Sequence, residues 1–126
     1  SYIMGEYIIK GKKMLLTNEN LKLLYKTFVR MAPFDALDMP EASEVKFKVI
    51  KDEDIYGLYE PEPHIICVSA GRCSHFDTIV KTLLHEMIHM YCFLEGENTY
   101  EMHSNRLFKK LIKKTADLYG FDPKEL

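Results

Sequence analysis

Residues 82–94 read Thr82-Leu83-Leu84-His85-Glu86-Met87-Ile88-His89-Met90-Tyr91-Cys92-Phe93-Leu94. Wound into a helix together with Ile79 and Val80, this stretch is apolar on nearly every side. Such a helix belongs in the middle of a domain, not on its surface. Set into it are two imidazoles and a carboxylate, groups that cost on the order of several kcal/mol to bury without partners. The stretch therefore predicts a central helix together with a partner shared by those three polar groups.

Working upstream, Ser74 and Asp77 form an S-x-x-D capping box that predicts the helix start, and Gly96 is a natural stop. Before it, His64 to Ser69 and Ile55 to Tyr59 read as strands separated by the Glu60-Pro61-Glu62-Pro63 turn. Val45-Lys46-Phe47-Lys48-Val49-Ile50 alternates strictly, the signature of a half-buried strand. The short apolar run Ile65 to Val68 fits either a fully paired core strand or an edge on which an extended peptide could add. Thr17 or Asn18 caps a first helix whose apolar positions are Leu21, Leu24, Tyr25 and Phe28, bounded on its far side by Pro33. Residues 1–16 read as an N-terminal arm or short strand. Downstream, a last helix is expected from about Ser104 to Tyr119, with Leu107, Phe108, Leu111, Ile112 and Leu118 inward and Gly120 and Pro123 ending it. The order predicts one α+β domain over residues 17–126, with helices packed on a small three-stranded sheet.

His85-Glu86-Met87-Ile88-His89 is H-E-x-x-H. Residues four apart share one helix face, so both imidazoles can reach a single metal ion. Zinc lowers the pKa of a water it binds to about 7. Glu86, set to one side, can take a proton as attack on a carbonyl begins and pass it to the leaving amine. A catalytic zinc requires a third protein ligand and an open fourth position. The downstream candidates are His103, Glu95, Glu97 and Glu101. His103 is favoured because a neutral imidazole ligates without deprotonation, and Glu101 is the fallback. The compact H-E-x-x-H-x-x-G-x-x-H pattern is absent, because Cys92 and Glu95 occupy the positions it needs. His64 and His75 are assigned to a strand edge and to the start of the central helix, without a metal role.

Composition narrows the class. A chain of 126 residues with 47% hydrophobic and 29% charged residues can bury one core and is not a disordered segment. A net charge of -2 argues against a surface that is wholly a nucleic-acid footprint. No apolar run approaches the roughly 20 residues of a membrane span, and the start lacks a secretory pattern. Three cysteines without a CxxC pair favour reduced thiols, hence a cytoplasmic setting. A monomer is expected.

The helix described above resembles the active-site helix of the SprT-like (Spartan) metalloprotease family, which has the form L-L-H-E-M-I-H-A-Y. In that family a variable polar loop follows, then a third histidine in an H-G-x-x-F element. Here Glu95 to Met102 is the loop and His103 the third histidine. Ile66-Cys67-Val68-Ser69 and Asp77-Thr78-Ile79-Val80 are similar to that family too, so that the likeness spans residues 17 to 123. The resemblance implies a zincin-like fold, zinc held by His85, His89 and His103, Glu86 as general base, and protein substrates. In the eukaryotic branch those substrates are proteins crosslinked to DNA. Two departures are visible: Ser104 stands where the family has glycine, and Phe108 falls one place late. Residues 1–126 contain no zinc-ribbon motif.

Arg106, Lys109, Lys110, Lys113 and Lys114 share one side of the last helix. They read first as a solvated face and second as a weak DNA-contacting stripe to which Lys10, Lys12 and Lys13 could add. Tyr91, Tyr100 and Arg106 have a claim on a developing oxyanion, against the plainer role of local packing. Cys92 is read as a small core residue. Two competing functions remain at this level: a regulatory zincin like the ImmA/IrrE proteins, acting on one partner, and a non-catalytic adaptor with a structural zinc. Glu86 argues against the adaptor, since a structural site needs no carboxylate there and closes all four positions.

Overall fold

The computed structural model of the chain describes residues 16–97 and 102–126. The expected arm over residues 1–15, with Lys10, Lys12 and Lys13, lies outside that range, as do Tyr100 and Glu101. The described chain is α+β, with three helices on a mixed three-stranded sheet.

Helix α1 spans Asn18–Phe28, and Thr17 caps it by accepting a hydrogen bond from the Asn20 amide at 3.1 Å. Its inward stripe is Leu21, Tyr25 and Phe28. The Tyr25 ring packs 5.2 Å from that of Phe47, and its hydroxyl donates to the Pro40 carbonyl. Strands β1 (Val45–Ile50), β2 (Gly57–Glu60) and β3 (His64–Ser69) form a sheet of order β1-β3-β2. β3 runs parallel to β1, from Val45 opposite His64 to Ile50 opposite Ser69, and antiparallel to β2. The Ile65–Val68 run is therefore the paired centre of the sheet, not an edge on which a peptide could add. Among the described residues the open edges belong to β1 and β2. Asn18 partly closes the first, its side-chain oxygen accepting from the Val49 amide at 2.8 Å.

The second strand starts at Gly57, two residues later than its apolar pattern suggests. Ile55 and Tyr56 are drawn instead into the loop around Arg72, which donates to the Tyr56 hydroxyl while the Ser69 amide donates to the Tyr56 carbonyl.

Helix α2 (Phe76–Leu94) is the centre of the domain, and Ile79, Leu83, Leu84, Met87, Ile88 and Met90 are fully buried along it. It lies against β2 and β3 on one side and α3 on another. Its start departs from the expected capping box. His75 occupies the cap position but makes no side-chain cap bond, its Nδ1 lying 3.3 Å from the Ser74 hydroxyl, and the Asp77 carboxylate turns to the amide of Thr78. The helix begins one residue too late for the Ser74–Asp77 pairing to close. Helix α3 (Arg106–Tyr119) is capped by Asn105, whose side chain accepts from the Phe108 amide, so it too starts later than expected. Leu118 was expected inward but is 54% exposed. Phe108, Leu111, Thr115 and Ala116 form the buried stripe, and Leu118 falls beside it. Gly96 and Gly120 follow their helices with left-handed φ values of 83° and 81°, a conformation that glycine adopts without a side-chain penalty.

At Gly57 the sheet comes close to the central helix. A Cβ there would lie 2.5 Å from the Thr82 methyl, 2.8 Å from the Cys67 carbonyl and 3.3 Å from a Glu86 oxygen. Only a residue without a side chain lets β2 come this near the face of α2 that carries Glu86. Gly57→Ala is expected to lower stability by about 1–3 kcal/mol, read by urea denaturation; an unchanged midpoint would contradict this packing.

Candidate metal centre

Two helices and the turn between them build the centre. His85 and His89 are one turn apart on α2 and face the same way. The short 3₁₀ turn Met102–Ser104, just before α3, brings His103 over them. The three Nε2 atoms converge: 3.0 Å between His85 and His89, 2.9 Å between His89 and His103, and 3.2 Å between His85 and His103. Among the described residues this is the group of three or more potential ligands arranged to hold a metal ion.

Chemistry of the donor set tests the fit. His85 Nδ1 lies 2.5 Å from the main-chain oxygen of Leu126. That oxygen can only accept, so Nδ1 carries the ring proton and Nε2 presents a lone pair to the other two rings. Burial, countered in part by that hydrogen bond, lowers the His85 pKa. Burial, then the neighbouring His85 and His103, drives His89 down to about 3. His85 and His89 are therefore neutral near pH 7, the state in which imidazole ligates. Ligands of a tetrahedral zinc at about 2.0–2.1 Å stand about 3.3–3.4 Å from one another. The observed separations are only slightly shorter, so the triad fits such an ion with small adjustment.

Phe108 is the floor of the site. Its ring stacks on His89 with centroids 4.5 Å apart and meets His85 and His103 at 5.3 Å each. Asn105 ties the two ends of the intervening loop. Its amide donates to the Glu97 carboxylate at 3.1 Å while its oxygen caps α3. Glu97, a candidate ligand in the sequence, is thereby engaged away from the histidines. Glu95 is the exposed residue that follows α2 and is not in the cluster. Glu101 lies outside the described residues.

Glu86 is 6% exposed, and burial pushes its carboxyl up to about 8. With His85 it lines a cleft of about 600 Å³, walled by Tyr56 and Gly57 on one side and by the segment ending in Leu126 on the other. His64 accepts from or donates to the Tyr59 hydroxyl at 2.6 Å, and His75 precedes α2, so neither joins the centre. Tyr91 packs against the core, and Cys67, Cys73 and Cys92 are buried free thiols outside the cluster. The cations Arg106, Lys109, Lys110, Lys113 and Lys114 are all exposed, and Lys113 pairs with Asp117 on the same helix. Among the described residues no helix is long and apolar enough to cross a membrane.

Sequence reading missed the parts that hold the histidines in place. Phe108 was matched to the H-G-x-x-F element and to the inward face of its helix, but not to a place against the three rings, and the Leu126 contact and the close approach at Gly57 carry no local pattern. Asn105 did carry one, as a capping residue three positions before a buried aromatic.

The raised Glu86 pKa has a measurable sign. Ionising this carboxyl is harder in the folded chain, so its contribution to stability is full below pH 4.5 and is lost as pH rises toward about 8. In metal-free protein, wild type should lose stability relative to Glu86→Gln between pH 5 and 8, by at most about 1.4 kcal/mol per pH unit. Urea denaturation at several pH values reads this, and parallel curves for the two proteins would contradict the burial of an ionisable group.

No curated protein matches the chain. The SprT-like family model matches residues 21–125, from α1 through the segment that closes the cleft. The histidine cluster and this match together make the chain a member of the SprT-like family.

Proposed function

We propose that the chain is a zinc-dependent endopeptidase that hydrolyses peptide bonds of protein substrates. The observation that carries the reading is the convergence of three imidazole nitrogens beside a buried carboxyl at the mouth of a cleft. His85, His89 and His103 would hold the ion, and three protein ligands leave the open fourth position that a structural site lacks. Zinc held there supplies Lewis acidity toward a carbonyl and makes water a nucleophile near neutral pH.

Glu86 is the general base. It lies next to the first ligand in sequence, lines the cleft with it and is shielded from bulk water. A carboxyl whose pKa stands near the working pH can both take and return a proton. Nearby positive charge lowers that pKa toward ionisation, the state a base requires. The open edge of β2 borders the cleft at Gly57, so an extended peptide can pair with the strand and lay its carbonyl toward His85 and Glu86. This favours unfolded or extended protein segments over small molecules. The exposed cations of α3 are read as a solvated face that also gives a weak contact to DNA, one that salt would abolish.

One assay tests the proposal: cleavage of an unfolded protein by zinc-loaded wild type, Glu86→Gln and His103→Ala, with and without DNA at low and high salt. Glu86→Gln should keep its zinc and lose activity by at least about 100-fold. His103→Ala should bind zinc more weakly. Comparable cleavage by Glu86→Gln would sink the mechanism, and unchanged zinc affinity in His103→Ala would remove the third ligand. DNA should raise cleavage only at low salt; an effect that survives high salt would contradict the weak contact.

A further inference from the structure

The segment after α3 returns to the central helix and reaches the first histidine. Asp122 closes the 3₁₀ turn Pro123–Glu125, its carboxylate accepting from the Lys124 amide and its carbonyl from the Glu125 amide, each at 2.9 Å. Glu125 accepts from Lys81 Nζ at 2.9 Å, and Lys81 stands on α2 one turn before His85. The same ammonium lies 5.4 Å from the centre of the Phe121 ring and 4.0 Å from the Asp77 carboxylate. The next residue, Leu126, places its main-chain oxygen against His85 Nδ1.

We propose that residues 122–126 are the positioning device of the first metal ligand: the Leu126 main-chain oxygen fixes the tautomer and aim of His85, and the Lys81–Glu125 pair holds that oxygen in place. The proposal rests on the zinc reading above. Fixing the proton on Nδ1 commits Nε2 to the metal side and makes the ring a stronger donor, and partners of this kind are worth roughly 10–100-fold in metal affinity. His85 borders the open cleft, and on that side its Nδ1 is met by the Leu126 oxygen. The connection is also compact. Lys81 and His85 are four residues apart on one helix face, and Glu125 and Leu126 are adjacent, so the ion pair and the ring hydrogen bond brace each other. Lys81, Glu125 and Leu126 are thus positioning residues, none of which touches the reacting atoms.

Charge reversal tests this without altering a ligand. Lys81→Glu sets a like charge against Glu125 and Asp77, and adding Glu125→Lys restores an opposite pair. Two quantities are read in wild type, Lys81→Glu and the double variant: zinc affinity by chelator competition, and the His85 Nδ1–H signal in ring ¹⁵N–¹H spectra of metal-free protein. Lys81→Glu is expected to weaken zinc binding by about tenfold and to lose the Nδ1–H signal to solvent exchange, and the double variant should regain both. A persistent signal with unchanged affinity in Lys81→Glu overturns the proposal, as does a loss the double variant fails to restore. Because the ring signal is read without metal, a wild type that binds no zinc would instead overturn the zinc reading.

Discussion

Everything in this domain is arranged around the burial of polar groups on its most apolar helix. His85, Glu86 and His89 occupy one turn of α2, whose neighbours Leu83, Leu84, Met87, Ile88 and Met90 are fully buried. Polar groups are tolerated in such a place only when something pairs with them. His103 arrives from the following turn, Phe108 lies beneath all three rings, and the Leu126 oxygen takes the His85 ring proton, which points away from the cluster. That leaves the His85 Nε2 lone pair facing the Nε2 atoms of His89 and His103 at 3.0 and 3.2 Å, a cluster that a cation can bridge.

The surrounding fold can be read as the support for that turn. β3 is buried at the centre of the sheet and packs against α2, and β2 approaches so near that a Cβ at Gly57 would meet Thr82 and Glu86. α3 packs against α2 from another side and carries Phe108 under the rings. The loop that brings His103 is pinned where it rejoins the helices, by Asn105 to Glu97. One helix thus holds two ligands and the 3₁₀ turn before α3 holds the third, which keeps the donors close without closing the cleft side.

The central helix, its two histidines and the third were legible in the chain because each has a local signal: an apolar run, an i, i+4 spacing, a histidine just before a helix. Strand β1 was legible from strict alternation, and the first helix from its Thr17 cap. The errors fall where tertiary contacts outweigh local pattern. Ser74 and Asp77 make a plausible cap in sequence, yet the helix begins after His75 and Asp77 serves its own neighbour. Ile55 and Tyr56 look like strand, but the strand begins at Gly57 and Tyr56 is held by Arg72. The contacts that aim the ligands, from Phe108, Leu126 and the Lys81–Glu125 pair, join residues up to 44 positions apart and leave no periodic trace.

The central claim is an open, three-histidine metal site on α2 and the turn before α3. X-ray absorption at the zinc edge of the zinc-loaded protein tests it most directly. The account requires a first shell of nitrogen and oxygen alone at about 2.0–2.1 Å, with multiple scattering from three imidazoles and one further light atom. A sulfur shell at about 2.3 Å, or only two imidazoles, would contradict it.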